Sequence, residues 1–549
     1  MVDCATEQDE LSPTTADDCP KVAHATAAKL TYAWPLLVTA VLALMAGLWL
    51  HRHFFHDDAF ICLRYAERFL AGKGLTWNDG EHVEGFSSPC WLAQLVLLGR
   101  LGIPLPYAAR GLGIAYALAT FTLWWRARAR PEGLLALVTV PGWTMWAWGG
   151  LETLGACFWI LAAMVLAARM QQGRSSLREA VLVGVSFFAV ALNRPEGVLV
   201  GLFLLGAACS ARRQRPFLIG VASLAVAFAA YEIFRLAYFG DWIANGARAK
   251  TLGLPLCARI EDAAIYIAKT APQWLATVLM AGWFLFRSAD RRGHAWLLLP
   301  CLPLLGVVFI GGGDHMPGAR FMLAPVAVMC LAGSLALPSP RRGARRIACL
   351  LTLICSFWQL HFSWQYPAPL NPAAAIGEIV GRTLEDKLPP GTLVATATAG
   401  SVPYFARSLS FVDTLGLNDP HIANKTPAAL PKVLDDSDRW FAVPGHARGD
   451  GNYVLSRRPD AIMLGGANGD IAPWFLGDYQ MLMSKSFRDS YAPWRLFIPV
   501  PTPMKPSLTE HLDTATGRLP ITLYLRHDSP AWPHISREAE PLPPPWAAD

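Results

Sequence analysis

Eleven apolar runs, each long enough or nearly long enough to cross a bilayer, dominate this chain. They fall at 34–50, 107–125, 133–148, 151–168, 179–193, 197–211, 217–238, 271–286, 294–310, 320–337 and 347–363. Backbone N–H and C=O groups inside hydrocarbon must be satisfied within the segment, so runs of this kind are expected to be helices. Of the 549 residues, 53% are hydrophobic and 16% charged, against roughly 25% charged in a soluble domain. A disordered chain, a collagen-like repeat and a small disulfide scaffold are excluded. A twelfth run, 89–101, is shorter and contains Arg100, so it reads as an interfacial or re-entrant helix. The expected fold is a polytopic α-helical membrane protein of about eleven transmembrane helices with a C-terminal soluble α/β domain.

The connections between runs set the sidedness. Five are short and arginine-rich, carrying Arg126, Arg128 and Arg130; Arg169, Arg174 and Arg178; Arg212, Arg213 and Arg215; Arg287, Arg291 and Arg292; and Arg341, Arg342, Arg345 and Arg346. All five fall on one face, which the positive-inside rule makes cytoplasmic. Arginines placed this way are topology signals, and nucleic acid is not an expected partner. The eleven cysteines include no CxxC pair, and none follows Cys355, so no metal or disulfide framework is expected.

Five regions follow. Residues 1–32 are an acidic tail on the cytoplasmic side, and 33–363 are the membrane domain, with 51–106 as its first external loop. Residues 364–530 lack a spanning run and gain Pro, Asp and Gly. Strands are expected at 392–396, 461–464, 494–498 and 521–525, and helices at 377–387 and 399–407. The tail 531–549 is Pro-rich and expected to be loose. The protein is placed in a bacterial inner membrane, with the α/β domain on the periplasmic or external side.

Once sidedness is assigned, mixed acids and bases gather on the external face. The clusters are His56-Asp57-Asp58, Gly150 to Thr153 with Glu152, Arg194-Pro195-Glu196, Gly240 to Lys250 with Asp241, Asn245 and Arg248, and Gly311 to Arg320 with Asp314 and His315. Ionisable groups at membrane depth are costly and usually functional. Two adjacent carboxylates at an apolar boundary repel and lose hydration, which raises one of them and suits a general base. Asp57 is read as facing the cavity as that base, with Asp58 capping the helix that follows. An Asp pair also suits a hard divalent cation, but no metal ligand and no cofactor is assigned. Arg194, Arg320, Lys250 and Arg248 are the cations placed to hold a phosphate.

The stretch from Asp57 to Phe86 resembles the first external loop of GT-C membrane glycosyltransferases, in the branch of the terminal β-(1→2)-arabinofuranosyltransferases. The matching residues are Asp57-Asp58, Arg64-Tyr65 and Gly80-Glu81-His82-Val83-Glu84-Gly85-Phe86. The resemblance continues through Gly150 to Thr153, Arg194 to Gly197, Tyr238 to Lys250, Gly312 to Phe321, Phe411 to Ala423 and Tyr453 to Leu464. Members carry Pro where Ala244 stands and Thr-Asn where Ser87-Ser88 stand.

The resemblance implies a polyprenyl-phosphate-linked sugar as donor and an inverting transfer to a hydroxyl of an envelope glycan, lipopolysaccharide or protein. Arabinofuranose is the implied sugar; another polyprenyl-phosphate sugar such as mannose is the alternative. Under it, Asp57 and Asp58 are catalytic, and Arg194, Arg320, Lys250 and Arg248 bind the donor phosphate. Arg64, Tyr65, Glu84, Glu152, Glu196, Asp241, Asn245, Asp314 and His315 contact sugar or acceptor. A transporter or flippase of a lipid-linked sugar is the rival reading, but no matching halves are visible in the sequence.

Overall fold

The computed structural model describes residues 18–171, 176–208, 214–251, 255–288, 294–336, 342–365, 371–426, 446–502, 504 and 507–548. The expected acidic tail lies outside the described residues as far as residue 17. From Asp18 the chain is already in α1 (Asp18–Leu50). Arg174, Arg212, Arg213, Arg291, Arg292 and Arg341 also lie outside the described residues.

Every expected apolar run carries helix. The first half contains α2 (Asp57–Leu70), α3 (Pro89–Arg100), α4 (Leu105–Ala127), α5 (Pro131–Val138), α6 (Pro141–Trp148), α7 (Thr153–Gln171) and α8 (Leu177–Asn193). The second half contains α9 (Gly197–Ala208), α10 (Gln214–Phe239), α11 (Asn245–Thr251), α12 (Leu256–Thr270), α13 (Leu275–Phe286), α14 (Cys301–Gly311), α15 (Arg320–Ala336) and α16 (Arg342–Gln365). The run 133–148 was expected as one helix and is two. Val140 is extended, at φ −60° and ψ 123°, because the residue before a proline is pushed out of the helical region by the ring that follows.

Among the described residues, two stretches, Thr153–Met170 and Leu218–Phe239, are helices long and apolar enough to cross a membrane. The first is mostly buried within the protein and the second mostly exposed. Leu42, Trp49, Leu182, Val226, Ile233, Leu279, Ile310 and Phe357 add exposed apolar surface on six different helices. An apolar exterior of this extent calls for a non-aqueous partner.

After α17 (Pro372–Lys387), the chain builds a six-stranded sheet in the order β2-β1-β3-β5-β4-β6. Its strands are β1 (Leu393–Thr396), β2 (Ser410–Asp413), β3 (Ala461–Met463), β4 (Tyr491–Ile498), β5 (Leu519–Arg526) and β6 (Glu540–Pro541). β1 pairs in parallel with β2 and β3, and the other pairs are antiparallel. The register of β4 on β5 runs from Tyr491 opposite Arg526 to Ile498 opposite Leu519. The expectation of a loose tail after Pro530 is corrected, because residues 540 and 541 pair with Trp494 and Arg495. Proline is tolerated on such an edge because it need not donate outward.

One face of the sheet packs a cluster of its own, with Ala395, Val412, Ile462 and Tyr524, and the other face shares the core of the helices. Leu519, Ile521, Leu523 and Leu525 alternate along β5 and belong to the same buried cluster as residues of α1, α2, α4 and α7. Two of the contacts that dock the sheet domain come from α2 and the loop that follows it. Asn78 imitates a neighbouring strand, with its amide donating to Phe411 O at 2.7 Å and its oxygen accepting from Phe411 N at 3.1 Å. Phe60 on α2 packs on Tyr404 and Phe405 of α18 (Ser401–Phe405), with ring centroids 5.2 and 5.3 Å apart. Leu523→Ala would leave a cavity in this shared core and cost about 2–5 kcal/mol. The expected result is a lower thermal midpoint for the detergent-solubilised chain, with the helices and sheet losing structure in a single transition.

Candidate functional site

The start of α2 sets the site. His56 caps the helix, its Nδ1 accepting from Asp58 N at 3.2 Å. Asp57 and Asp58 therefore both sit in the first turn, where the exposed N–H groups favour carboxylates. Asp58 is not the cap that the sequence suggests. Successive helical residues point about 100° apart, so the two acids separate.

Asp57 turns away from solvent and under the sheet domain. Its Oδ1 accepts from Ser401 N at 2.8 Å and from the Ser401 hydroxyl. Gly400 lies flat against it: a Cβ there would stand 2.1 Å from Asp57 O and 2.6 Å from Oδ2. Only glycine allows this approach. Burial pushes the Asp57 carboxyl up to about 6, against the pull of the Ser401 hydroxyl and amide.

Asp58 turns into a cavity of about 400 Å³. Its wall brings together Asp58 of α2, Glu152 before α7, Arg194 and Glu196 between α8 and α9, Lys250 of α11, and Asp314, His315 and Arg320 before and at the start of α15. The acids and bases pair. Lys250 Nζ is 3.3 Å from Asp58 Oδ2, Arg194 Nη1 is 2.9 Å from Glu152 Oε1, and Arg320 Nε is 2.7 Å from Asp314 Oδ2. Arg194 Nε also bonds Glu196. The guanidinium of Arg194 lies 5.1 Å over the Phe321 ring and that of Arg320 4.8 Å over it, a favourable arrangement for a cation on an aromatic face.

The electrostatics follow from this pairing. Burial alone would raise Asp58, but Lys250, His56, His315 and Arg320 outweigh it and hold the carboxyl well below the ordinary range. Asp314 is likewise lowered, with Arg320 the main force against burial. Burial pushes His56 and His315 down to about 4 despite the neighbouring acids, so both rings are neutral at pH 7. Arg320 spends only Nε on Asp314. Its two terminal nitrogens have no protein partner among the described residues and remain available to an anion.

Several expected site residues stand outside the cavity wall. Asp57 is one, for the reason above. Glu84 is buried and held by Arg235 Nε at 2.6 Å and Tyr231 Oη at 2.7 Å. Arg64 donates to Trp77 O at 2.8 Å and to Pro403 O. Tyr65 donates to Val83 O at 2.6 Å and accepts from Gly85 N at 3.0 Å. Arg248 pairs with Asp241 and reaches Asn424 Oδ1 at 2.9 Å. Asn245 Nδ2 donates to Gly416 O at 2.8 Å and Leu417 O at 2.9 Å. These side chains hold loops and domains together, and none points at the cavity. Ser401 and Gly400 were missed. They lie more than 340 residues from Asp57, and nothing local in the sequence marks them. Among the described residues no group of three or more His, Cys, Asp or Glu side chains is arranged to hold a metal.

Residues 368–506 match a domain of unknown function (DUF8728). The terminal β-(1→2)-arabinofuranosyltransferase of Mycobacterium tuberculosis is 32% identical over 346 residues, which is 53% of this chain and 54% of that protein. The enzyme of the same name from Corynebacterium glutamicum is 26% identical over 386 residues, or 59% of this chain and 55% of its own. This chain is similar in sequence to terminal β-(1→2)-arabinofuranosyltransferases. The aligned region spans about half the length of each of these curated relatives. Among solved structures, ArnT from Cupriavidus metallidurans bound to undecaprenyl phosphate matches at a TM-score of 0.44 and 12% identity, over 69% of this chain and 86% of that one.

Asp57 offers a check on this arrangement. Its raised carboxyl favours the folded state below the ordinary carboxyl value near 3.8. That contribution is lost as pH rises through about 6, where the folded protein must ionise a buried acid. Asp57→Asn keeps the acceptor for Ser401 N and removes the charge. Its thermal midpoint, followed from pH 4 to 8, is expected to rise above that of the wild type once pH exceeds 6.

Proposed function

We propose that the chain is a membrane glycosyltransferase that moves a sugar from a polyprenyl-phosphate donor to a hydroxyl of an envelope glycan, lipopolysaccharide or protein, with inversion. The observation that carries this reading is one cavity holding a carboxylate, Asp58, beside Lys250 and Arg320. Arabinofuranose is the favoured sugar because of the sequence similarity to arabinofuranosyltransferases. The proposed setting is the bacterial inner membrane, with eleven spans, the N-terminus inside and the α/β domain outside. Leu199 and Ile310, both exposed, also line the cavity. A polyprenyl tail can lie on that apolar exterior while its phosphate reaches the cations.

The chemistry needs one base and a stabilised leaving group. The acceptor oxygen attacks the anomeric carbon, its proton passes to Asp58, and the bond from that carbon to the phosphate oxygen breaks. An inverting displacement requires no carboxylate nucleophile. Arg320 offers its two terminal nitrogens to the departing phosphate, and Lys250 adds a point charge. The Lys250–Asp58 pair gives this a natural order. A donor phosphate that draws Lys250 to itself releases Asp58 for the proton. The base role passes from Asp57 to Asp58 because Gly400 and Ser401 cover the former. In this reading Glu152, Glu196, Asp314 and His315, which line the cavity, bind sugar hydroxyls.

The test is transfer from synthetic polyprenyl-phosphoryl arabinofuranose to a small hydroxyl acceptor, read by mass spectrometry. Loss of a general base costs about 10²–10⁴-fold in rate. Asp58→Asn is expected to lose that much while Asp57→Asn stays within about tenfold of wild type. The reverse order would place the base at Asp57, and no transfer by a folded wild type would remove this donor from the reading.

A further inference from the structure

α11 carries Lys250 into the cavity, yet little of its own helix holds it there. It is seven residues long, and its last carbonyls have no partner within the helix. The sheet domain supplies one. Arg448 is buried and donates through Nε to Ala249 O at 2.8 Å and through Nη2 to Arg248 O at 3.1 Å. Its Nη1 bonds Lys425 O, just after α19 (Pro420–Asn424). One guanidinium thus ties the end of α11 to the sheet domain, directly beside the residue that faces Asp58. The start of α11 is tied the same way, through Asn245 Nδ2 to Gly416 O and Leu417 O. Leu417, Gly246, Ala247 and Lys250 all line the cavity.

We propose that Arg448 is a positioning residue, which holds the Lys250 ammonium against Asp58 by capping the C-terminal carbonyls of α11 from the sheet domain. This rests on the glycosyltransferase reading for its catalytic consequence, but the clamp itself does not. The fork matters. Three carbonyls in different directions match the rigid donor set of a guanidinium, whereas an ammonium on a flexible stem fixes their relative placement poorly. In this account the sheet domain completes the site from both sides, because Ser401 and Gly400 seat the neighbouring turn of α2 through Asp57.

The test uses the full chain in detergent, with Arg448→Met, Lys250→Met and the double variant. Hydrogen exchange at the amides of 245–251 reads the clamp without reference to any reaction, and Arg448→Met is expected to speed it. Transfer from polyprenyl-phosphoryl arabinofuranose reads the consequence. Misplacement of a catalytic group by about 1 Å costs up to about 100-fold, and Arg448→Met is expected to lower kcat/KM by about 10- to 100-fold. Asp58 is faced by His56 and Asp57 on its own element, Lys250 on α11, His315 on the loop before α15 and Arg320 on α15. Of these, only Lys250 moves in the variant. The acidic limb of the kcat/KM profile should therefore shift to higher pH, in the same direction for Arg448→Met and Lys250→Met. The double variant should be no worse than Lys250→Met alone.

Unchanged exchange at 245–251 would overturn the clamp. Faster exchange with an unmoved acidic limb, or losses that multiply in the double variant, would overturn the positioning of Lys250. A folded wild type that fails to transfer would overturn the glycosyltransferase reading for this donor, while the exchange result would still decide the clamp.

Discussion

Four carboxylates and three cations share one cavity of about 400 Å³ at the end of an apolar helix bundle, and each must be neutralised by another. A charge taken from water without a partner costs several kcal/mol. The site therefore cannot be a set of independent residues. Lys250 answers Asp58, Arg194 answers Glu152 and Glu196, and Arg320 answers Asp314. The helices that carry these groups are α2, α11 and α15, with the ends of α7, α8 and α9. Moving any one of them leaves a charge uncompensated. This constraint explains why the backbone around the cavity is fastened so heavily by buried polar groups that take no part in its wall.

The fastening comes largely from the sheet domain. Ser401 and Gly400 receive Asp57, Asn78 of the first long loop pairs with Phe411 of β2, and Asn245 and Arg448 hold the two ends of α11. The hydrophobic core is continuous across the junction. The α/β domain is thus a structural wall of the site and not an appendage to it. The raised carboxyl of Asp57 reflects that burial, while the lowered carboxyl of Asp58, one residue on, reflects its cations. Adjacent identical residues are driven in opposite directions by what each one faces.

Much of this was legible in the sequence, and the boundary of legibility is physical. Hydrophobic length located the helices of the eleven apolar runs, though not α11 or α12, and short apolar stretches located β1, β3, β4 and β5. The gathering of mixed charges at helix ends pointed to Asp58, Lys250, Arg194 and Arg320, because ionisable groups cluster at an apolar boundary only where they are paired. The orientation of the Asp pair was not legible. Which of two neighbours faces the cavity is decided by the capping role of His56 and by Ser401, far away in the chain. Arg64, Tyr65, Glu84 and Asn245 looked like ligand contacts because they are polar and sit in recognisable motifs, yet each is consumed by backbone carbonyls or a buried partner. β6 escaped notice because two residues carry no periodicity.

The proposed glycosyl transfer requires that the cations of this cavity hold a lipid-linked phosphate next to Asp58. A cryo-electron microscopy structure of the full chain with polyprenyl phosphate tests it most directly. The phosphate is expected within hydrogen-bond distance of Arg320 and Lys250, with Lys250 drawn off Asp58 and the tail leaving past Leu199 and Ile310. A phosphate seated elsewhere, with the Lys250–Asp58 pair intact, would contradict it.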